Sequence, residues 1–175
     1  FSPRDEIRPA FALRKKGGPD GQGGVLVRHD AREGLDGAWS KTFEIKGDVH
    51  YQVTAFAKTR KVGNPRANRY LELYFHDEKG QYVEDARIGV RTRPFYPLDQ
   101  PVDDRGWVKF SDIYQAPATA THATVRLHLR WEPGGEAEWG GMVFTKSAPR
   151  TPRKVRLAAI NFRPKGGKTG LDNCR

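Results

Sequence analysis

The sequence predicts an all-β protein, an antiparallel β-sandwich of the jelly-roll kind, and three observations support this fold class. The 175 residues include 19 glycines and 12 prolines, more than the average usage of roughly 12% for the two together. These residues recur about every ten positions between short apolar runs, a spacing typical of sandwiches and barrels. Several runs alternate between apolar and polar residues, as a strand with one buried face does. The 4 Trp, 6 Tyr and 9 Phe exclude a simply disordered chain.

Nine runs, each bounded by a turn or a polar loop, are predicted to be strands. A glycine-rich turn at 17–24 separates the first two, and Glu-Lys-Gly-Gln at 78–81 predicts a hairpin turn between the fifth and the sixth. Three prolines make 91–106 a surface loop before the seventh. In chain order, the predicted strands are 10–13, 25–29, 38–45, 50–58, 69–77, 82–90, 107–115, 123–131 and 136–145.

The alternation assigns the side chains of two strands to faces. Along 69–77, Leu71, Leu73 and Phe75 face the core and the residues between them face outwards. Along 123–131 the alternation is cleaner still, with arginines and histidines on the outer face. The tryptophans that fall in or beside an apolar strand pattern are predicted to lie in the core. They are Trp39, Trp107 and Trp131.

A stripe of aromatic and polar side chains is the best candidate for a binding site. If 69–77 and 123–131 belong to one sheet, its outer face carries Tyr74, His76, Arg126, His128 and Arg130. Flat rings stack on the C–H faces of sugars, and planar polar groups bind their hydroxyls. Phe95 and Tyr96, in the proline-rich loop, are further candidates. The alternatives are a solvated sheet face and a loop whose aromatics fold back as a lid on the sandwich edge.

Residues 1–147 resemble the galactose-binding-like jelly rolls that serve as carbohydrate-binding modules. The motifs that carry the resemblance are Asp-Gly-Ala-Trp-Ser-Lys-Thr-Phe at 36–43, Tyr-Gln-Val-Thr-Ala-Phe-Ala-Lys at 51–58, Gly-Trp-Val-Lys-Phe at 106–110, Ala-Thr-Val-Arg-Leu-His-Leu at 123–129 and Glu-Trp-Gly-Gly-Met-Val-Phe at 138–144. The resemblance implies a glycan as partner and, as the one cofactor, a structural calcium ion. The family often has an Asp where this chain has Gly141, so the oxygen ligands left to such an ion are Asp30, Glu33 and Asp36.

The end of the chain predicts the opening of a second, α/β domain. An apolar run at 155–162 predicts a strand buried on both faces, followed by a glycine-bearing loop at 164–170. Residues 153–175 resemble the first strand and helix start of the carbon–nitrogen hydrolases, the family of nitrilases and amidases. The residues that carry this resemblance are 154–160, Pro164, Gly166, Gly167 and Asn173. We therefore expect a β-sandwich module at 1–147, a linker at 148–153 and a truncated hydrolase domain at 154–175.

The hydrolase resemblance implies a parent enzyme but no activity for this chain. The family's catalytic Glu, Lys and Cys lie on later strands and turns, and Cys174 comes too early to match the nucleophile. The sequence also lacks the Gly-x-Ser-x-Gly elbow of serine hydrolases. Because an unpaired strand exposes its backbone groups, the strand near 154–162 needs a partner. We expect either the missing hydrolase domain or a second copy of the chain in a homo-oligomer.

The net charge of +10 is concentrated in the tail. Residues 146–175 hold nine Lys or Arg and one Asp, so residues 1–145 hold 22 basic and 20 acidic residues. This distribution argues against nucleic-acid binding by the sandwich. No run of about 18 apolar residues predicts a membrane-spanning helix. The chain starts at Phe1; removal of a signal peptide, which would place the protein outside the cell or in the periplasm, would explain this, as would trimming before expression.

Two functions are compatible with these observations. The favoured interpretation is a non-catalytic accessory module, carbohydrate-binding-like, of a carbon–nitrogen hydrolase whose catalytic domain is absent from the chain. The alternative is an interaction domain whose basic tail contacts an acidic partner or nucleic acid. Salt separates the two, because binding to phosphates weakens steeply with salt and stacking on sugars does not.

Overall fold

The computed structural model of the chain describes residues 1–151, and these residues form the antiparallel β-sandwich that the sequence predicts. The strands are β1 (Ala10–Arg14), β2 (Gly24–Arg28), β3 (Asp36–Glu44), β4 (His50–Arg60), β5 (Arg69–His76), β6 (Glu84–Asp85), β7 (Val90–Arg91), β8 (Val108–Gln115), β9 (His122–Arg130) and β10 (Glu136–Lys146). Helix in this part of the chain is limited to a 3-10 turn, Asp5–Ile7, and one α-helical turn, α1 (Pro65–Asn68).

Two sheets form the layers of the sandwich. The larger has the strand order β1-β2-β10-β4-β8 and the smaller the order β3-β9-β5; every pairing is antiparallel. The register of β10 against β4 shifts between Gly140 and Val143. Gly141 lies at this bulge with a φ of 57°, a conformation that glycine adopts without a steric penalty. The bulge bends the strand next to the core tryptophan Trp139.

The core lies between the sheets and is built from the inward rows of the alternating strands. The fully buried residues include Val53, Ala55 and Ala57 of β4, Leu71, Leu73 and Phe75 of β5, and Leu129 of β9. Trp139 of β10 is also fully buried, with its ring centroid 5.3 Å from that of Phe110. Burying a side chain of this kind stabilises the fold by about 1.5–3 kcal/mol. Because the inward rows of β5 and β9 are fixed by burial, their outward rows are fixed as well.

The predicted strand at 82–90 is wrong. The Asp85 carboxylate accepts the backbone N–H of Arg87 at 3.0 Å and binds its guanidinium at 2.5 Å. The backbone carbonyl of Asp85 accepts the N–H groups of Ile88 and Gly89, at 3.0 and 2.9 Å. These local bonds occupy donors that a strand ladder would use, so the chain turns after β6 and pairs again only over the two residues of β7.

The core prediction for the tryptophans is right for Trp107 and wrong for Trp131. Trp107 is buried, and Trp39 is half-buried against the core. Trp131 is 55% exposed, because β9 ends at Arg130 and Trp131 itself has a φ of 55°. This left-handed backbone takes its side chain out of the inward row of the strand. The backbone N–H of Trp131 donates to the backbone carbonyl of Leu35 at 2.8 Å, which stabilises the turn.

The described chain ends beyond β10 in exposed residues without regular structure, 148–151. Arg150 forms an ion pair with Asp112 of β8. The predictions made for 154–175, a buried strand, a hydrolase-like opening and a homo-oligomer through that strand, lie outside the described residues. None of the helices in residues 1–151 has the length and apolarity needed to cross a membrane.

Replacing Leu73 with Ala should lower the free energy of unfolding by about 3 kcal/mol, because the truncation leaves a cavity in a fully buried position. Leu13→Ala is the matched control. Leu13 is 72% exposed, so its truncation should change the free energy of unfolding by less than about 0.5 kcal/mol. Urea unfolding followed by circular dichroism measures both variants. Equal losses would contradict the placement of β5 in the core.

Candidate functional site

The outer face of the smaller sheet gathers most of the predicted site residues. Across β5 and β9, Tyr70 lies opposite His128, Glu72 opposite Arg126, and Tyr74 opposite Thr124. Two further rings come from the segment that follows β5. The ring centroid of Tyr82 lies 5.4 Å from that of Tyr74, and the ring centroid of Tyr96 lies 5.7 Å from that of Tyr70. We name these side chains together the aromatic–basic face; they are Tyr70, Tyr74, Tyr82, Tyr96, Arg126, His128 and Arg130.

Four side chains form a continuous stack at the α1 end of this face. The guanidinium of Arg130 lies 4.1 Å from the centroid of the Trp131 ring and 4.7 Å from that of the Tyr70 ring. Tyr70 in turn stacks on His128, with ring centroids 4.4 Å apart and planes 12° from parallel. We call these residues the four-layer stack. Burial raises the pKa of Tyr70 to about 12, so its phenol remains protonated, and able to donate, at neutral pH.

A cleft of about 310 Å³ opens beside the stack. It is lined by Arg66, Ala67, Tyr70, Tyr96 and Arg130. The wall formed by α1 has a local cause in the sequence, since Asn64 caps the helical turn by accepting the N–H of Ala67 at 3.3 Å and a proline occupies the first helical position. Tyr96 is 54% exposed. The cleft therefore offers an accessible aromatic ring beside two guanidinium groups.

A network of polar groups holds the centre of the face. Glu72 is buried and accepts a hydrogen bond from Nε2 of His128 at 3.0 Å and one from Nη1 of Arg126 at 3.4 Å. Arg126 also donates to the hydroxyl of Tyr74 at 2.9 Å. Burial opposes the ionisation of Glu72, but the hydrogen bond from His128 and the charge of Arg126 outweigh it and lower the pKa of this carboxyl. The bonds of Glu72 tie β5 to β9 across the centre of the face, while Nε of Arg126 and Nδ1 of His128 are buried without a partner among the described residues.

Arg126 illustrates this structural role. Its guanidinium lies 4.0 Å from the ring of Phe1 and 4.8 Å from the ring of Tyr74, in addition to its bonds with Glu72. Tyr74 is half-buried and packs against Tyr82. The structure thus brings Arg126, Tyr74 and His128 together as the sequence predicts, but as mutually bonded neighbours.

Two predicted site residues lie below the surface. His76 is 7% exposed, and its Nε2 lies 2.9 Å from the hydroxyl of Thr124. Phe95 pairs with Leu73 through both backbone hydrogen bonds and therefore faces the core with it. Its ring lies 4.6 Å from that of Tyr114. Of the two alternatives that the sequence left open, Phe95 folds back against the core and is partly buried, while Tyr96 points outwards, because an extended segment sends neighbouring side chains to opposite faces.

The three carboxylates considered for calcium are not brought together. Asp30 pairs with Arg32, whose Nη2 lies 2.9 Å from it, and this bond lowers the pKa of Asp30. Glu33 is exposed, and Asp36 lies on β3 with Oδ1 3.7 Å from Nδ1 of His128. Within residues 1–151 there is no group of three or more acidic, histidine or cysteine side chains that could hold a metal ion.

Several residues of the site were not singled out from the sequence. The sequence did indicate the position of Tyr70, because this residue belongs to the outward row of the predicted strand 69–77. Tyr82 had no such signal, since its position depends on how the segment after β5 folds back on it. Arg66 had none either, because a single helical turn shows no periodic pattern. Trp131 was assigned to the wrong face, because its left-handed backbone interrupts the period-2 pattern at that residue.

Three larger cavities lie elsewhere in residues 1–151, and one of them, of about 660 Å³, shares Arg66 with the cleft and is also lined by Arg69 and Asp99. One of about 770 Å³ lies between the 82–95 segment and the edge strand β8, and one of about 350 Å³ lies beside Trp39 and Trp139 at the open side of the sandwich. The first is lined mainly by the 82–95 segment, which carries Arg87, Arg91 and Arg93, and the second mainly by apolar side chains and glycines. The cleft at Tyr96 combines accessible rings with planar cationic donors, the groups that orient a polar ligand.

Sequence comparison and structural comparison give different results. No protein-family model matches the sequence. No curated protein matches it. The fold, by contrast, has relatives among solved structures.

Three of these structures illustrate the likeness. The enzymatically active domain of tailspike protein 4 from bacteriophage CBA120 superimposes with a TM-score of 0.59 at 13% identity, over 80% of this chain and 18% of that chain. The CBM22-1–GH10 modules of xylanase 10B from Clostridium thermocellum, complexed with xylohexaose, give a TM-score of 0.51 at 18% identity, over 80% of this chain and 25% of that chain. A family 16 carbohydrate-binding module gives a TM-score of 0.53 at 10% identity, over 78% of this chain and 86% of that chain.

These likenesses establish the fold. The chain is a jelly-roll β-sandwich of the kind found in carbohydrate-binding modules. It spans about a fifth and a quarter of the first two structures and most of the third.

Glu72→Gln should lower the free energy of unfolding by about 1–3 kcal/mol at neutral pH, because it weakens hydrogen bonds to charged donors in a buried site. The native pKa of Glu72 lies below its usual 4.5. Its contribution is therefore present above about pH 4.5 and is lost as the pH falls through the lower native pKa.

Urea unfolding of the wild type and the variant, at about pH 7 and about pH 3, measures this effect. The difference between the two proteins should shrink at the lower pH. Glu44→Gln, at an exposed position of the same sheet, is the matched control and should have little effect at either pH. A difference for Glu72→Gln that does not change between the two conditions would contradict the role assigned to this carboxylate.

Proposed function

We propose that this chain is a non-catalytic glycan-binding module that holds its ligand in the cleft beside the four-layer stack. The observation that carries the proposal is the meeting of the exposed ring of Tyr96, the ring of Tyr70 and the guanidinium groups of Arg66 and Arg130 around one cleft. Aromatic rings bind the apolar faces of sugars, while planar donors bind their oxygens. The jelly-roll fold shared with carbohydrate-binding modules supports the same conclusion.

Each residue of the cleft has a distinct part in this proposal. Tyr96 supplies the accessible stacking surface and adds little entropic cost, since it has few rotatable bonds. Tyr70 is held between Arg130 and His128, so it forms a rigid floor. Arg66 and Arg130 donate hydrogen bonds to ring or hydroxyl oxygens, each worth about 1 kcal/mol after competition with water.

Tyr74 and Tyr82 extend the binding surface along β5. Their ring centroids are 5.4 Å apart, and Tyr82 is 39% exposed. We assign them a second, weaker contact with a longer glycan. Arg126, His128 and His76 support this surface from below, because each donates to or shares a hydrogen bond with a neighbouring side chain of β5 or β9.

The parent protein belongs to the same proposal. We infer from the resemblance of 153–175 that the module precedes a carbon–nitrogen hydrolase domain, for which it acts as an accessory domain. The sequence of the gene beyond Arg175 tests this inference. A continuation without the Glu, Lys and Cys of that family would end it, while the glycan-binding proposal would stand.

Tyr96→Ala should weaken glycan binding about tenfold, because stacking on an accessible ring is worth roughly 1 kcal/mol beyond its area. Tyr74→Ala should weaken binding less for short glycans and comparably for long ones. Calorimetric titration measures both variants after a glycan array, with xylohexaose among its members, has identified a ligand.

Leu98→Ala is the control for Tyr96→Ala. Leu98 lies two residues further along the same loop and is 75% exposed, so its loss should leave the affinity unchanged. An array without any bound glycan, together with binding of anionic polymers that vanishes at high salt, would favour the interaction-domain alternative.

A further inference from the structure

We infer that the glycan held in this cleft is acidic, and that one of its sugar units presents a carboxylate or a sulfate group to Arg130 and Arg66. The inference rests on the proposed function and adds the chemical class of the ligand. It follows from the charges that line the cleft and from the way in which the two guanidinium groups are held.

The lining of the cleft is cationic without an acidic counterpart. It comprises two arginines, two tyrosines and Ala67. In residues 1–151, Arg130 forms no ion pair; its one hydrogen bond runs from Nη2 to the carbonyl of Ala67, at 3.3 Å. Asp36 is its direct cross-strand neighbour, yet no carboxylate oxygen of Asp36 comes within ion-pair distance of it. Nε of Arg130 is buried and has no partner among the described residues.

Arg66 is only partly neutralised. It shares the carboxylate of Asp99 with the buried Arg69, at 3.3 Å from each guanidinium group. One negative charge thus faces two positive charges, and the side chain of Arg66 remains 77% exposed. Together with Arg130, this end of the sandwich carries an excess of positive charge, which favours a ligand that brings a negative one.

The four-layer stack fixes the orientation of Arg130. The rings of Trp131 and Tyr70 lie against its guanidinium, with their centroids 4.1 and 4.7 Å away. The edge of a guanidinium group is a planar fork that matches a carboxylate or a sulfate through two parallel hydrogen bonds. A held fork loses little conformational entropy on binding, which increases the affinity it can provide.

The backbone at Trp131 is an independent sign that this arrangement is functional. A φ of 55° is strained for a residue with a bulky side chain and costs roughly 1–2 kcal/mol. This strained backbone places an indole that is 55% exposed against the guanidinium of Arg130. Strained positions of this kind cluster at ligand-binding sites.

The overall charge of the sandwich does not explain a preference for anions. Residues 1–145 carry 22 basic and 20 acidic residues, whereas the tail at 146–175 carries nine basic residues and one acidic one. A polyanion would therefore bind the tail without any specific site. The experiment has to separate binding at the cleft from attraction to the tail, and single substitutions in the cleft do so because they leave the tail intact.

The probes are three matched pairs of oligosaccharides, each with an acidic and a neutral member. They are oligogalacturonate and its methyl ester, glucuronic-acid-bearing xylan fragments and their carboxyl-reduced form, and sulfated and desulfated galactan fragments. Calorimetric titration of the full chain at moderate salt gives the ratio of affinities within each pair. We expect the acidic member of at least one pair to bind about tenfold more tightly, as a charge-assisted pair of hydrogen bonds provides. The pair that shows the preference identifies a carboxylate or a sulfate as the group recognised.

The variants test whether this ratio arises at the cleft. Arg66→Gln and Arg130→Gln should each bring the ratio close to one. Arg130→Lys retains the charge but not the fork, so it should give an intermediate ratio. Arg14→Gln is the matched control, because Arg14 is exposed on β1 in the other sheet and its substitution removes the same charge. If Arg130→Gln fails to fold by circular dichroism, the exposed Arg66 still provides the test.

The outcomes separate the two proposals. Neutral members that bind as tightly as acidic ones would overturn the acidic ligand and leave the glycan-binding function in place. A loss in Arg14→Gln as large as that in Arg66→Gln would overturn it as well, because it would assign the preference to overall charge. Failure of all six probes and of a broad glycan array would overturn both.

Discussion

The pairing of β5 with β9 is the interaction on which the rest of the structure depends. Its register places Leu71 opposite Leu127 and Leu73 opposite Val125 on the inner face, where they form the floor of the core. The same register places aromatic rings, carboxylates and guanidinium groups opposite one another on the outer face. A slip of one residue would exchange the two faces completely. Hydrophobic burial on one side of this ladder thus specifies the arrangement of polar groups on the other.

The charged residues of the outer face are stabilised by one another before any ligand is present. Glu72 would be costly to bury alone, but His128 and Arg126 donate hydrogen bonds to it. The charge of Arg130 is stabilised by the aromatic rings of Tyr70 and Trp131 in place of a carboxylate. This difference divides the face into a neutralised centre and a cationic end. A ligand that approaches the centre meets groups that are already paired, whereas at the α1 end it meets a guanidinium group whose charge is not offset by an ion pair in the described chain.

The sequence predicts the layered architecture because alternation and turn spacing report directly on burial. Eight of the nine predicted strands are present for this reason, and the sequence also predicts that Tyr74, Arg126, His128 and Arg130 share a face. It misassigns 82–90, where the local bonds of Asp85 compete with strand pairing and leave no trace in hydrophobicity. It also misassigns Trp131, because one left-handed residue reverses the side to which a side chain points. Arg66 lies on α1, whose single turn is too short to show a periodic pattern in the sequence.

The course of β10 separates the cleft from the point where the chain leaves the sandwich. This strand runs from Glu136, opposite Arg60 of β4, to Lys146, opposite Tyr51. The cleft lies at the Arg60 end, where α1 and the end of β9 meet, and the chain leaves the sandwich at the Tyr51 end. Eleven residues of strand span roughly 35 Å at about 3.3 Å per residue. The cleft and the end of β10 thus lie at opposite ends of the sandwich, so a ligand in the cleft is distant from the point where the chain leaves the two sheets.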